Sequence, residues 1–397
     1  MQTNQDTSTQ SSTQNPAENS KEIKKITDAD VKGKRVLLRT SLNVPIAADG
    51  SVGDMFRLRA AMPTIEWLHN HGAKIIILAH LGRKGDTLAP VVNELTKLLP
   101  AVPMRFVPGT LAEAAAQVAT LQDGECVVLE NVRSNPGEEE NDPALAKQLA
   151  ALGELFVNDA FADSHRAHAS VVGVAQLLPS YMGVLMAAEV EHLLPAITPP
   201  EGAIAIIGGA KFETKEPLIS KLLASHYKKL LLGGALANDG LKSRGMPTGQ
   251  SLVSGVAIPS ELAQDSRIIL PMDAVLQDVG ANAEREAYVS DIRASEKMVD
   301  IGSYTATAWV NEILSTPFLV WNGPTGVYEA GFMSGTDALA KAVAQMDGRA
   351  VVGGGDTLAA LQKFTFDPNK VFLSTGGGAM LEFLTAGTLV GLDALRR

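Results

Sequence analysis

Ala350-Val351-Val352-Gly353-Gly354-Gly355-Asp356-Thr357 and Val371-Phe372-Leu373-Ser374-Thr375-Gly376-Gly377-Gly378 each carry a short β-rich apolar run straight into three glycines. An apolar run of strand length that ends on glycine, with helix-forming sequence behind it, marks a strand–turn–helix unit of a parallel sheet. Three further runs end the same way: 203–207 before Gly208-Gly209, 230–232 before Gly233-Gly234, and 318–321 before Gly323-Pro324. Five glycine turns at strand ends make one crevice along the edge of a single sheet, where open α/β sheets bind ligands. Glycine costs stability wherever its freedom is not required, so two triple-glycine turns on one crevice point to a ligand. The chain carries neither GxxxxGK[ST] nor GxGxxG, so a nucleotide here is bound in some other way.

Towards the amino terminus the alternation continues. Residues 36–39, 75–78, 106–107, 126–129 and 155–157 read as strands, with helices over 60–69 and 111–120. This predicts an α/β chain with a doubly wound, largely parallel sheet in each half. The boundary falls near 181–200, where the helical stretch 185–194 ends in Pro195 and is followed by Thr198-Pro199-Pro200. Residues 386–397 follow the last helix and have no placement by pattern alone. Residues 1–22 are almost all polar and read as a disordered tail without the apolar core of a secretory signal.

Composition narrows the function. The 397 residues are 46% hydrophobic and 20% charged, enough for two or three domains with their own cores. Acidic residues outnumber basic ones 44 to 34, which argues against nucleic-acid binding. No apolar run reaches the length of a membrane span. The single cysteine, Cys126, lies in an apolar strand and reads as a buried core thiol. The chain is expected to be soluble and cytoplasmic.

The candidate chemistry divides between the halves. In the second, Asp356 follows three glycines and can hold a magnesium ion or simply cap a helix. Lys211 and Lys215, four apart after Gly208-Gly209, share a face if they open a helix, and then point at one phosphate region; a solvated lysine pair is the bland alternative. Asn322 can donate to phosphate and Glu329 can accept from a ribose, although both also suit a turn. In the first half, Arg39, Arg57, Arg83, Arg133 and Arg166 sit at or after strand ends or in loops, with His80, His165 and His168. Together the five arginines suit a pocket for carboxylate and phosphate; singly, each is an ordinary surface charge. The histidine spacing does not fit a metal site.

These stretches resemble phosphoglycerate kinase, from about residue 26 to 394. Arg39-Thr40-Ser41-Leu42-Asn43-Val44-Pro45, His80-Leu81-Gly82-Arg83, Glu130-Asn131-Val132-Arg133 and the segment from Asp159 to His168 follow the family's order. So do Gly208-Gly209-Ala210-Lys211, Trp321-Asn322-Gly323-Pro324, Gly353 to Thr357, and Ser374 to Ala379. The resemblance implies two Rossmann-like doubly wound parallel-sheet domains joined by a hinge helix. Residues 23–184 would bind 3-phosphoglycerate, 185–200 would be the helix and linker, 201–385 would bind nucleotide, and 386–397 would return to the first domain. Ser41, Asn43, Arg57, His80, Arg83, Arg133 and Arg166 would hold the acid. Gly208, Lys215, Gly233, Asn322, Glu329, Gly354, Asp356, Thr357, Gly376 and Gly377 would hold ATP, with Mg2+ arriving as Mg-ATP or Mg-ADP and anchored by Asp356. Arg57, Lys211, Gly355 and Gly378 would serve catalysis, in line and without a phosphoenzyme, in a monomer that closes about its hinge.

The departures from the family pattern gather on the acid's side. Ser41 stands for an aspartate that touches the substrate hydroxyl, Leu42 for a phenylalanine, and Lys84 for a proline. Ser134-Asn135 replaces Phe-His, Ala162-Asp163-Ser164 replaces Gly-Thr and a small residue, and Ala188 replaces a lysine. Ser41 favours a rival reading, a kinase for another small acid. A nucleotide-binding scaffold without catalysis is a second rival, opposed by the presence of Arg57, Lys211 and Asp356.

Overall fold

The structure, a computed structural model, describes residues 23–209, 212–255 and 258–396. Six parallel strands form the first sheet: β1 (Arg35–Thr40), β2 (Lys74–Leu78), β3 (Met104–Val107), β4 (Cys126–Leu129), β5 (Leu155–Asp159) and β6 (Ser180–Met182), in the order β3-β4-β2-β1-β5-β6. These strands are nearly continuous aliphatic runs because both faces are covered. Strand alternation then sorts the side chains: Val36, Leu38, Ile75, Ile77, Val128 and Val157 enter one core, and Leu37, Ile76, Leu78, Val127 and Phe156 the other. Cys126 is fully buried, and burial pushes its thiol well above the usual range.

The second half holds β7 (Ile204–Ile207), β8 (Lys229–Leu232), β9 (Ile268–Ile269), β10 (Asp273–Asp278), β11 (Glu284–Tyr288), β12 (Glu296–Ile301), β13 (Phe318–Asn322), β14 (Arg349–Gly353) and β15 (Val371–Ser374). Six of these make a parallel sheet in the order β15-β14-β13-β7-β8-β9. The five strands that end in glycine therefore lie side by side, and their turns share one edge, as the sequence predicts. The remaining three form an antiparallel sheet, β11-β10-β12, which the apolar pattern did not announce. In β11 the side chains alternate between exposed and half-buried, so no apolar run marks it.

The helix Val184–Ile197 joins the sheets. It runs two residues past Pro195, where the sequence predicts its end. Proline removes the bond to the carbonyl of Glu191, but Glu191 is exposed and water can satisfy that group. Met186, Leu193 and Ala196 of this helix belong to a single apolar cluster with Leu37 and Phe156 of the first sheet and Ala205 and Ile207 of the second. Past the last long helix, Gly378–Ala386, the short helix Val390–Asp393 lies against residues of the first half: Gly391 N donates to Ser164 O at 2.8 Å. A side chain at 391 would strike Ser164, which explains the glycine.

Two local expectations fail. Arg57 lies in the first turn of the helix Phe56–Asn70, not at a strand end or in a loop. Residues 212–215 form a turn, and the helix begins only at Glu216, so Lys215 is not one helical turn from Lys211. Lys211 and the 1–22 segment lie outside the described residues.

Candidate active site between the two sheets

The glycines of the second sheet fall into two classes. A Cβ on Gly208 would lie 2.2 Å from Pro324 O, one on Gly233 2.9 Å from Thr325 Cγ2, and one on Gly376 2.7 Å from Phe161 Cε1. These three are glycine because backbone or side chain packs against them. Gly355, Gly377 and Gly378 instead face open space, and Gly354 (φ +102°) and Gly377 (φ +53°) adopt backbone angles that side chains disfavour. The open turns stand at the starts of the helices Gly355–Leu361 and Gly378–Ala386, where free backbone amides favour an anion.

Around these turns Lys215 Nζ donates to Asn322 Oδ1, and Thr357 Oγ1 accepts from Gly323 N at 2.7 Å. Burial pulls the Lys215 ammonium down to about 8, opposed by the charge of Asp356. Asp356 is exposed and accepts from Tyr328 OH at 3.3 Å. Glu329 and Asp356 share a cavity of about 200 Å³ with Gly209, Gly234, Leu252 and Met298. A predominantly apolar slot with acidic groups at its mouth suits a planar base with a hydroxylated sugar.

On the first sheet, the loops after β1, β2 and β4 are clipped together. Arg57 Nη1 donates to Asn43 O at 2.7 Å, Asn43 Oδ1 accepts from Gly82 N at 2.9 Å, and Arg133 Nη1 donates to Gly82 O at 2.6 Å. The buried Asn131 amide adds bonds to Leu81 O, Arg83 O and Asp86 O. Arg83 and Arg166 are exposed, the latter with its Nε on His165 Nε2 at 3.1 Å.

Beneath these loops lies a buried polar network. Arg39, 0% exposed, donates to Ser170 Oγ (3.0 Å), Thr40 O (2.6 Å) and His80 Nδ1 (3.2 Å), and its Nη1 lies 3.1 Å from Asp163 Oδ2. An arginine can only donate, so His80 Nδ1 must accept, and the neutral ring carries its proton on Nε2. Burial, with Arg39, Arg133 and Arg166 nearby, holds His80 at about 3 against the pull of Asp163. Burial would raise the Asp163 carboxyl, but the Arg39 guanidinium outweighs it and holds the group at about 2. Ser41 Oγ donates to Asp163 Oδ2 at 2.8 Å. Behind Arg39, Ser170 donates to Glu138 through N (3.0 Å) and Oγ (2.5 Å). Sequence reasoning placed neither Asp163 nor Glu138 in a site; the only signal was Asp163 as a departure.

The two walls meet. A cavity of about 870 Å³ is lined by Asn43, Arg57 and Gly82 from one sheet and by Tyr328, Gly355 and Asp356 from the other. A neighbouring one of about 500 Å³ joins Arg57 to Gly354, Gly355, Thr375 and Gly377. Arg57, Asn43, Gly355 and Asp356 are thus brought together, whereas His80, Arg83, Arg133 and Arg166 line neither cavity. Among the described residues no three His, Cys, Asp or Glu side chains gather in a metal-holding group.

The sequence model of the family described as phosphoglycerate kinase matches residues 26–387. The chain belongs to the phosphoglycerate kinase family. Phosphoglycerate kinase of Moorella thermoacetica is 43% identical over 385 residues, covering 93% of this chain and 98% of its own. That of a Roseiflexus species is 42% identical over 393 residues, covering 94% and 98%. The solved phosphoglycerate kinase of Coxiella burnetii superposes with a TM-score of 0.79 at 35% identity, over 94% of this chain and 97% of that one. That of Pyrococcus horikoshii gives 0.83 at 28%, over 94% and 98%. The protein is therefore an enzyme, a kinase of two parallel-sheet α/β units.

In this kinase the connecting helix is held at both ends by buried carboxylates. Asp159, at the end of β5, accepts from Met186 N at 3.0 Å in the helix's first turn. Further along, Glu189 accepts from Ser374 Oγ (2.7 Å), Thr375 N (2.6 Å) and Thr375 Oγ1 (2.7 Å), directly before the open glycines. Burial raises Glu189 to about 7 and Asp159 to about 6, with the donors working in the opposite direction. The kinase has no helix, among the described residues, long and apolar enough to cross a membrane.

Proposed function

We propose that the enzyme transfers a phosphoryl group reversibly and directly between ATP, carried as its Mg2+ complex, and the carboxylate of 3-phosphoglycerate, as a step of cytoplasmic glycolysis and gluconeogenesis. The observation that carries this is the shared cavity with Arg57 and Asn43 on one wall and Gly355 and Asp356 on the other. A nucleotide in the slot beside Glu329 directs its phosphates across Asp356 to the open glycines, with Lys215 and Asn322 beside them. The acid lies on the opposite wall, held by Asn43 and Arg57, with His80 Nε2–H and the arginines of the first sheet around it.

The residues present suit magnesium that arrives with the nucleotide. Asp356 is one exposed carboxylate with no acidic or histidine partners to complete a cage, and magnesium keeps phosphate and water ligands readily. The ion neutralises phosphate charge; Asp356 anchors it. Arg57, on the acid's wall and facing the glycine turns, balances charge on the phosphoryl group in flight, and we assign the same task to Lys211 from the other side. Neither wall supplies a histidine or aspartate placed as a phosphate acceptor, so transfer is in line between the two substrates. Both half-sites belong to one chain, so a monomer suffices.

Replacing Arg57 by alanine is expected to lower turnover about 100-fold while leaving ADP affinity nearly unchanged, because it acts on charge that develops in the transition state. Steady-state rates and ADP calorimetry on the same preparation check this. Intact turnover with lost nucleotide binding would remove Arg57 from its role.

A further inference from the structure

We propose that Ser41 and Asp163 work as one acceptor for the hydroxyl of the acid substrate, with Ser41 touching it and Asp163 as the positioning residue behind; this rests on the reading that the first sheet binds 3-phosphoglycerate. An ionised carboxylate is an odd component of a pocket for a phosphate and a carboxylate, since it repels both. Asp163 is nevertheless buried, 6% exposed, and sits among Arg39, His80 and Ser41. Something other than anion binding must account for it.

The hydrogen bonds indicate what. Arg39 spends its donors on Ser170, Thr40 and His80 and pairs with Asp163, so the two form a closed unit beneath the site. The Ser41 hydroxyl is committed as a donor to Asp163 Oδ2, at 2.8 Å. That leaves the lone pairs of Ser41 Oγ as its only remaining chemistry, so at this point the wall can only accept. A hydroxyl that donates to a carboxylate is polarised and accepts more strongly. Of the groups on a phosphorylated 2-hydroxy acid, only the hydroxyl donates. Ser41 follows directly on β1, one residue past Thr40 and two before the cavity-lining Asn43, so it lies where the bound acid must pass. The chain's departures at 41 and 163 then belong together: an acid absent at one position is present at the other, and the two side chains touch.

Calorimetry with 3-phosphoglycerate and with 3-phosphooxypropanoate, the same acid without its hydroxyl, tests the pair. ADP affinity serves as a check that each variant is folded. Wild type is expected to prefer the hydroxylated acid by roughly fivefold, the worth of one hydrogen bond. Ser41→Ala should abolish the preference and Asp163→Asn should reduce it, whatever happens to overall anion affinity. Ser41→Asp alone places a second carboxylate against Asp163, where the two cannot both ionise, and should weaken both ligands. Ser41→Asp combined with Asp163→Thr should restore both affinity and preference. A preference that survives unchanged in Ser41→Ala and Asp163→Asn would overturn the proposal and leave a purely structural pair. If wild type binds 3-phosphoglycerate well but no better than the deoxy acid, the proposal falls while the substrate reading stands. Wild type that binds neither acid would overturn the substrate reading and the pair's assignment with it.

Discussion

Burial and charge oppose each other at Lys215, and the balance can be titrated. Its ammonium is brought down to about 8 by desolvation, and a phosphate placed beside it favours the charged form and raises it again. Below pH 8 the lysine is already protonated and nucleotide binding draws no proton through it. Above pH 8, and below the raised value, binding must take one up. ADP calorimetry at pH 8.5 in buffers of different ionisation heat is expected to show proton uptake, and at pH 6.5 none from this group. Lys215→Met should abolish the uptake and weaken ADP roughly tenfold, through loss of a charge-assisted hydrogen bond. Uptake that persists in the variant would assign it elsewhere. Lys215, Asn322 and Asp356 were legible in the sequence because each stands within a few residues of a glycine turn. Asp163 and Glu138 were not, because their partners are distant: Ser41 is 122 residues from Asp163, and Ser170 is 32 from Glu138. A buried ion pair leaves no periodic trace in the chain; only its packing reveals it.

Among the elements, the connecting helix carries the energetic link between the sheets. Glu189 is the buried acid of a helix otherwise read as apolar, and it binds the turn that precedes the open glycines. Its carboxyl is raised from 4.5 to about 7, so the folded state holds the proton more tightly than the unfolded chain. As pH rises from about 4.5 through about 7 the unfolded chain releases its proton first, and the stability tied to this group is lost. Thermal unfolding of wild type is therefore expected to fall over that window relative to Glu189→Gln. Asp159 contributes in the same direction but is present in both proteins, so the difference isolates Glu189. A difference that is flat with pH would contradict this. Glu189→Ala should cost about 2 kcal/mol, since it strands the buried Thr375 N–H. The parallel strands were legible as aliphatic runs ending in glycine, and their common edge followed from that. The antiparallel sheet was missed because half of each exposed strand is polar, and the helix end was misplaced because solvent tolerates Pro195 near a terminus.

Taken whole, the molecule sets two half-sites on two sheets and joins them by one helix that each sheet grips through a carboxylate. A ligand bound to one wall gains few contacts across the cleft, whereas both together bridge it, so closure is driven by the ternary complex. Small-angle scattering is expected to show partial compaction with 3-phosphoglycerate or ADP alone and the smallest dimensions with both; equal dimensions in all four states would count against closure. The order of the family's stretches along the chain was enough to anticipate the kinase, while the relocation of an acid from position 41 to 163 needed the fold to bring those positions together. The most direct test of the account is turnover of 3-phosphoglycerate with ATP and Mg2+, followed by coupled reduction of the acyl phosphate formed, on wild type and Arg57→Ala side by side. The account requires ready turnover by wild type and a loss of about 100-fold in the variant; a wild-type protein that binds ATP yet leaves 3-phosphoglycerate unphosphorylated would contradict it.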